Sequence, residues 1–333
     1  MSKIIVMIVL LCSFVHSASA RISADQVAIV INTEDADSQL IAEYYQKKRG
    51  IPQQNLIKIS MPADKNSIDQ KKFEKIYQQV KKQTPDRAQY YALAWTKPYR
   101  VACMSMTSAF AFGFDRSFCA KGCKATRLSG YYNSDSERPG DELNIRPSMM
   151  LAGSSLQQTF AMIDRGVESD ATRPEATAYL MSTSDKARNV RSRRYRVIKE
   201  LLSDNINIEQ IKGDVLQDRD DVMFYFTGLK HVEAIESNHY LPGAIADHLT
   251  SSGGNLSGWR QMSILRWLDA GVTASYGTVV EPCAFTQKFP NPGIVIERYT
   301  NGESLIEAYW KSVAWPGQGV FVGEPMASPY AVQ

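Results

Sequence analysis

Apolar and polar positions alternate along this chain in two periods, and the periods take turns. "QVAIVIN" (26–32) is a near-continuous β-branched run ending at Asn32-Thr33, the pattern of a strand buried on both faces. Asp37-Ser38 can then cap a helix through "SQLIAEYYQKKRG", in which Leu40, Ile41, Tyr44 and Tyr45 share a face and Gly50 lies just past the end. "NLIKISM" reads as a second strand, "SIDQKKFEKIYQQVKKQ" as a second helix and "QYYALAW" as a third strand. Such alternation predicts an α/β fold, a mostly parallel sheet wound with helices.

Residues 97–150 interrupt the rhythm with three prolines and the cysteines Cys103, Cys119 and Cys123. No long periodic element occurs there, so this is a long ordered insertion, of the kind that carries function more often than core strands do. Its aromatic content argues against disorder. The rhythm returns with helix "SSLQQTFAMIDRGVES", strand "EATAYLMST", helix "RSRRYRVIKELLSD" and strand "DVMFYFTG". A mixed polar and apolar stretch, "HVEAIESNHYLPGAIADHLTSSGGNL", precedes helix "WRQMSILRWLDAG" and a last expected strand, "VTASYGTVV". Two helical stretches in "GIVIERYTNGESLIEAYWKSV" and a Gly- and Pro-rich tail follow. The simplest partition is an N-terminal α/β half (21–150) and a C-terminal one (151–333); a single continuous sheet is equally allowed.

The first 20 residues change the compartment. Lys3, the apolar run Ile4–Leu11 and small residues at Ala18 and Ala20 form a secretory signal with a cut expected after Ala20. The run is too short to span a bilayer, and no later stretch is long enough, so the expected location is periplasmic or secreted. Without residues 1–20, which hold one lysine and no acid, 37 basic residues face 35 acidic ones, and no net field points to nucleic acid. The one basic cluster, "RNVRSRRYR" (188–196), reads as the solvated face of a helix.

Four cysteines then remain in an oxidising compartment, so disulfides among Cys103, Cys119, Cys123 and Cys283 are expected, with a local Cys119–Cys123 bridge preferred. C-x3-C without a second pair of ligands gives no metal site, and no cofactor motif occurs. Cys103 follows "QYYALAW" and Cys283 follows "VTASYGTVV", which would place both at the carboxyl edge of the sheet, where such folds keep their ligand crevices. That edge permits a second disulfide or a thiol site. In the thiol reading Cys283 is the nucleophile, His231 its base and Glu281 an orienting acid, although Glu281 beside the thiol would raise its pKa. Ser251 and Ser252 in "TSSGG" lack the G-x-S-x-G elbow and read as a glycine-rich turn.

Several stretches together, "VAIVINTEDADSQLIAEYYQKKRGIP", "ACMSMTSAFAFGFD", "IRPSMMLAG", "LPGAIADHLTSSGG" and "ASYGTVVEPCAFTQKFPNPG", resemble a family of exported bacterial proteins found in genomes with exosortase-type protein sorting. The resemblance implies an envelope setting linked to surface polymer and sorted proteins and brings no established activity. A second similarity is to cysteine peptidases of the caspase and gingipain type, whose α/β sheet is an alternative to a flavodoxin-like one. Thr227 in "FYFTGLK" stands where their histidine would be, and "HLTSSGGNL", near the nucleophile's position, has no cysteine.

Two functions follow. In one, a binding or accessory protein holds an envelope protein, peptide or glycan at the carboxyl edge through Gly228, Lys230, Cys103 and Trp95, with Tyr99, Tyr131 and Tyr132 as further aromatic contacts. In the other, a cysteine hydrolase uses Cys283 and His231.

Overall fold

The computed structural model describes residues 22–120 and 123–332, so the signal peptide expected over residues 1–20 lies outside the described residues. The first half runs β1 (Val27–Asn32), α1 (Ala36–Arg49), β2 (Leu56–Ile59), α2 (Gln70–Gln83), β3 (Tyr90–Leu93), α3 (Met106–Phe112) and β4 (Ser148–Met150). Helix α4 (Leu156–Glu168) leads to β5 (Thr177–Ser182), α5 (Tyr195–Leu202), β6 (Asn207–Lys212), β7 (Val222–Thr227) and β8 (Tyr240–His248). The chain ends with α6 (Leu265–Asp269), β9 (Ala274–Thr278), α7 (Pro292–Thr300), α8 (Leu305–Lys311) and β10 (Gly319–Gly323).

These ten strands join one continuous sheet in the order β2-β1-β3-β4-β10-β9-β8-β7-β5-β6, and three two-residue strands, Ser67–Ile68, Arg100–Val101 and Met104–Ser105, form a separate small sheet. Every neighbouring pair is parallel except β9 with β10. The protein is therefore α/β with a mostly parallel sheet wound with helices. The order 2-1-3-4 in the first half is repeated as 6-5-7-8 in the second, and the two halves run in opposite directions where β10 meets β9. This reversal corrects one expectation. The carboxyl ends of β3 and β9 lie on opposite rims, so Cys103 and Cys283 do not follow strands that end at a common edge.

Local chemistry explains the elements. Asp35, two residues earlier than expected, caps α1 by accepting from Asp37 N at 3.1 Å, and Gly50 closes the helix at φ 65°. Ile41, Ala42 and Tyr45 form its buried face, while Leu40 is exposed. The 97–150 segment is less of a surface loop than its composition suggests. Residues 106–111 of α3 are buried, Phe110 packs on Trp95 and Phe73, and the segment's last residues form β4 inside the sheet.

Neighbouring residues on a strand point to opposite faces, and β8 shows which helices lie where. His248 faces Trp267 of α6, while Asp247 turns to the other face, towards Tyr309 of α8. Strands β4, β6, β8 and β10 were not expected from the sequence, and "VTASYGTVV" is not the last strand.

Candidate functional site

The cysteines pair as Cys103–Cys119 and Cys123–Cys283, not as the expected local Cys119–Cys123 bridge. Phe118 is the physical reason. It is buried and stacked on Phe112 at 4.3 Å, which pins Cys119 against the core beside the turn that carries Cys103 between the short strands Arg100–Val101 and Met104–Ser105. Cys123 is left exposed to reach Cys283, 160 residues away in sequence.

The second bridge staples the insertion to the loop after β9. Cys283 and Ala284 both adopt left-handed backbone there, at φ 57° and 54°. Glu281 does not orient a histidine; its carboxylate accepts from Cys283 N at 2.8 Å and fixes this turn. Immediately beyond the turn, Phe285 packs edge-on against Trp315, with ring centroids 5.6 Å apart.

Phe285 and Trp315 form part of a groove of about 660 Å³. The insertion contributes Leu128 and Tyr132, and the turn before α5 contributes Arg193 and Arg194, both exposed. Among the described residues lining this groove there is no aspartate or glutamate. Its volume lies within the range of about 300–1,000 Å³ found for ligand pockets.

No protein-family model, no curated protein and no solved structure matches the chain.

The groove floor is organised by Arg191. Far from standing on a solvated face, as its basic cluster suggested, Arg191 is buried, pairs with Asp247 at 2.5 Å and donates to Thr227 O (2.7 Å) and Pro290 O (3.3 Å). One guanidinium thus ties the turn before α5 to β7, to β8 and to the loop after β9. Burial pushes the Asp247 carboxyl up, and Arg191 pulls against that shift. In the same loop Lys288 is buried, and its ammonium has no hydrogen-bond or ion-pair partner among the described residues. It lies 5.3 Å from the Phe285 ring, and burial holds its pKa below the ordinary lysine value.

His231 belongs to a different groove, of about 540 Å³, with Lys97, Ser154, Trp259 and Asp269. Its Nε2 lies 3.3 Å from Arg260 O. The four other binding candidates are scattered. Trp95 is fully buried against Phe110 and donates to Pro98 O, so it is a core residue. Cys103 is bridged, Lys230 is exposed, and Gly228 lies so close to Arg188 O that a Cβ would meet it at 2.2 Å. Of the aromatic contacts, Tyr99 and Tyr131 are buried and only Tyr132 lines the groove.

His248 carries a strongly perturbed imidazole. It is buried, accepts from Trp267 Nε1 at Nδ1 (3.0 Å) and meets Met262 O at Nε2 (3.0 Å), which sets the proton on Nε2. Burial pushes its pKa down to about 3. With both nitrogens engaged, it is a packing residue. Arg193 and Arg194 could have been singled out from the basic cluster, but nothing local in the sequence couples them to residues 285 and 315.

Proposed function

We propose that this is an exported binding or accessory protein that holds an acidic ligand, drawn from peptides or glycans, in the groove between the insertion and the loop after β9. One observation carries the reading: the groove combines two exposed arginines with aromatic walls and, among the described residues, no lining carboxylate. Charge complementarity of this kind selects and orients an anionic partner. Two disulfides fit an oxidising compartment, and no helix of the described residues is long and apolar enough to cross a membrane. A periplasmic or secreted setting, with a role in envelope, surface polymer or protein sorting, follows from the leader sequence and the family resemblance.

The hydrolase alternative needs a free thiolate at Cys283 beside His231. In this fold the sulfur is spent in the bridge to Cys123, and His231 lines another groove. The test has two parts. Alkylation of the native, unreduced protein followed by peptide mass mapping should label none of the four cysteines and recover the 103–119 and 123–283 pairs; a selectively alkylated Cys283 would favour the hydrolase. Binding of a panel of acidic and neutral peptides and oligosaccharides should be lost in the double variant Arg193→Glu, Arg194→Glu. A panel in which no ligand responds to that variant would defeat the groove reading.

A further inference from the structure

We infer that the groove's ligand is an acidic oligosaccharide, with Arg193 and Arg194 taking its carboxylates and the Phe285–Trp315 pair packing on its sugar rings; this rests on the groove-binding reading above. Three observations separate a glycan from an acidic peptide.

The first is the place of the groove in the sheet. An extended peptide gains affinity by adding a strand to a free sheet edge. The groove lies beside the ends of β9 and β10, which are hydrogen-bonded on both sides; the free edges are β2 and β6. A peptide there would bind without a ladder, through its acidic side chains alone, which is the rival that hexaglutamate tests. Sugar hydroxyls need no ladder, and the groove lining includes the exposed side chain of Gln287 and the amide of Asn291, whose oxygen also accepts from Gly293 N.

The second is the aromatic geometry. Phe285 and Trp315 are only half-buried and meet edge to face, which leaves apolar ring surface at the wall. The C–H face of a pyranose is flat and apolar and fits such a surface while its hydroxyls reach the polar wall.

The third is the distribution of cations. Guanidinium groups match carboxylates bidentately and hold their charge at any ordinary pH. Lys288 does not itself line the groove, but its ammonium lies 5.3 Å from the Phe285 ring, with no hydrogen-bond or ion-pair partner among the described residues and with Glu281 favouring its charge. Its positive charge adds to the field that the two arginines set up at the groove.

The experiment is calorimetric titration of the disulfide-intact protein with three probes: tri-galacturonate, its carboxyl-reduced neutral counterpart and hexaglutamate. Tri-galacturonate should bind, and the neutral sugar and hexaglutamate should each bind more weakly by about ten-fold or more. Arg193→Glu with Arg194→Glu should abolish the binding, and Phe285→Ala should weaken it by roughly five- to ten-fold, with circular dichroism showing that each variant is folded. Hexaglutamate binding as tightly as tri-galacturonate, with the same sensitivity to the arginine variant, overturns the glycan inference and leaves the groove reading standing. Tri-galacturonate binding that ignores the arginine variant also overturns the inference. If no probe responds to that variant, the inference and the reading beneath it fall together.

Discussion

Arg191 and Asp247 meet at 2.5 Å with only 4 % and 1 % of their side chains exposed. Such a pair makes asymmetric demands. Its desolvation is met only while both partners are present, so removing one strands a buried charge. Arg191→Met or Asp247→Leu alone should destabilise the protein by about 3–5 kcal/mol in urea unfolding. The double variant should be more stable than the sum of the two losses implies, because it strands no charge. Additive losses would mean that Arg191 acts mainly through Thr227 O and Pro290 O.

This pair also shows why part of the fold was legible in the sequence and part was not. Strands β1, β3 and β7 are buried apolar runs whose neighbours in sequence say what they are. Strand β8, "YLPGAIADH", carries proline, glycine and two ionisable residues, and reads as a strand only when Arg191 is known to pair the charge of Asp247 and Trp267 to donate to His248. Strand β10 is five residues set among glycines and prolines, and its place between β4 and β9 reverses the second half of the sheet. No local pattern encodes that. The same holds for the site. Arg193 and Arg194 stand out as charge, but the groove exists because a bridge spanning 160 residues brings the insertion to the loop after β9.

The "TSSGG" turn lies directly on β9. A Cβ on Gly254 would meet Gly277 O at 2.4 Å, and one on Gly277 would meet Gly254 N at 2.3 Å, whereas one on Gly253 would find nothing nearer than 3.3 Å. The close approach is backbone against backbone, so no side chain can give way. Gly254→Ala and Gly277→Ala should each cost about 1–3 kcal/mol, and Gly253→Ala under about 1 kcal/mol. Equal effects at Gly253 and Gly254 in thermal unfolding would contradict this crossing.

His248 predicts an acid-side loss of stability. Its pKa is about 3 in the folded protein, against an ordinary value near 6.5 in the unfolded chain. The unfolded state therefore binds the extra proton between those limits, and stability present above pH ~6.5 is lost as pH falls towards 3. At about 1.4 kcal/mol per unit, the loss reaches about 2 kcal/mol by pH 5. The raised carboxyls Asp247 and Glu307 act in the opposite sense, so the comparison that isolates the effect is with His248→Gln, which can keep the contacts to Trp267 and Met262. The stability difference between wild type and His248→Gln should narrow or invert from pH 7.5 to pH 5. A constant difference would mean that the imidazole takes up its proton in the folded state.

The bridge and the left-handed turn it closes should be thermodynamically coupled. Removing the Cys123–Cys283 bridge as the double serine variant frees a loop of 160 residues and should cost about 2–5 kcal/mol. With the bridge intact, Ala284 at φ 54° bears a left-handed penalty of roughly 1–2 kcal/mol that glycine does not. Ala284→Gly should then stabilise the protein, by an amount reduced to about 0.5–1 kcal/mol because glycine loses more backbone freedom on folding. Without the bridge, the loop can relax to right-handed backbone, and the same substitution should become neutral or destabilising. Chemical denaturation of the four proteins, wild type, Ala284→Gly, the double serine variant and their combination, reads this change of sign. A gain from Ala284→Gly that persists in the serine background would show that the turn is held left-handed by Glu281 and the groove wall, and that the bridge only tethers it.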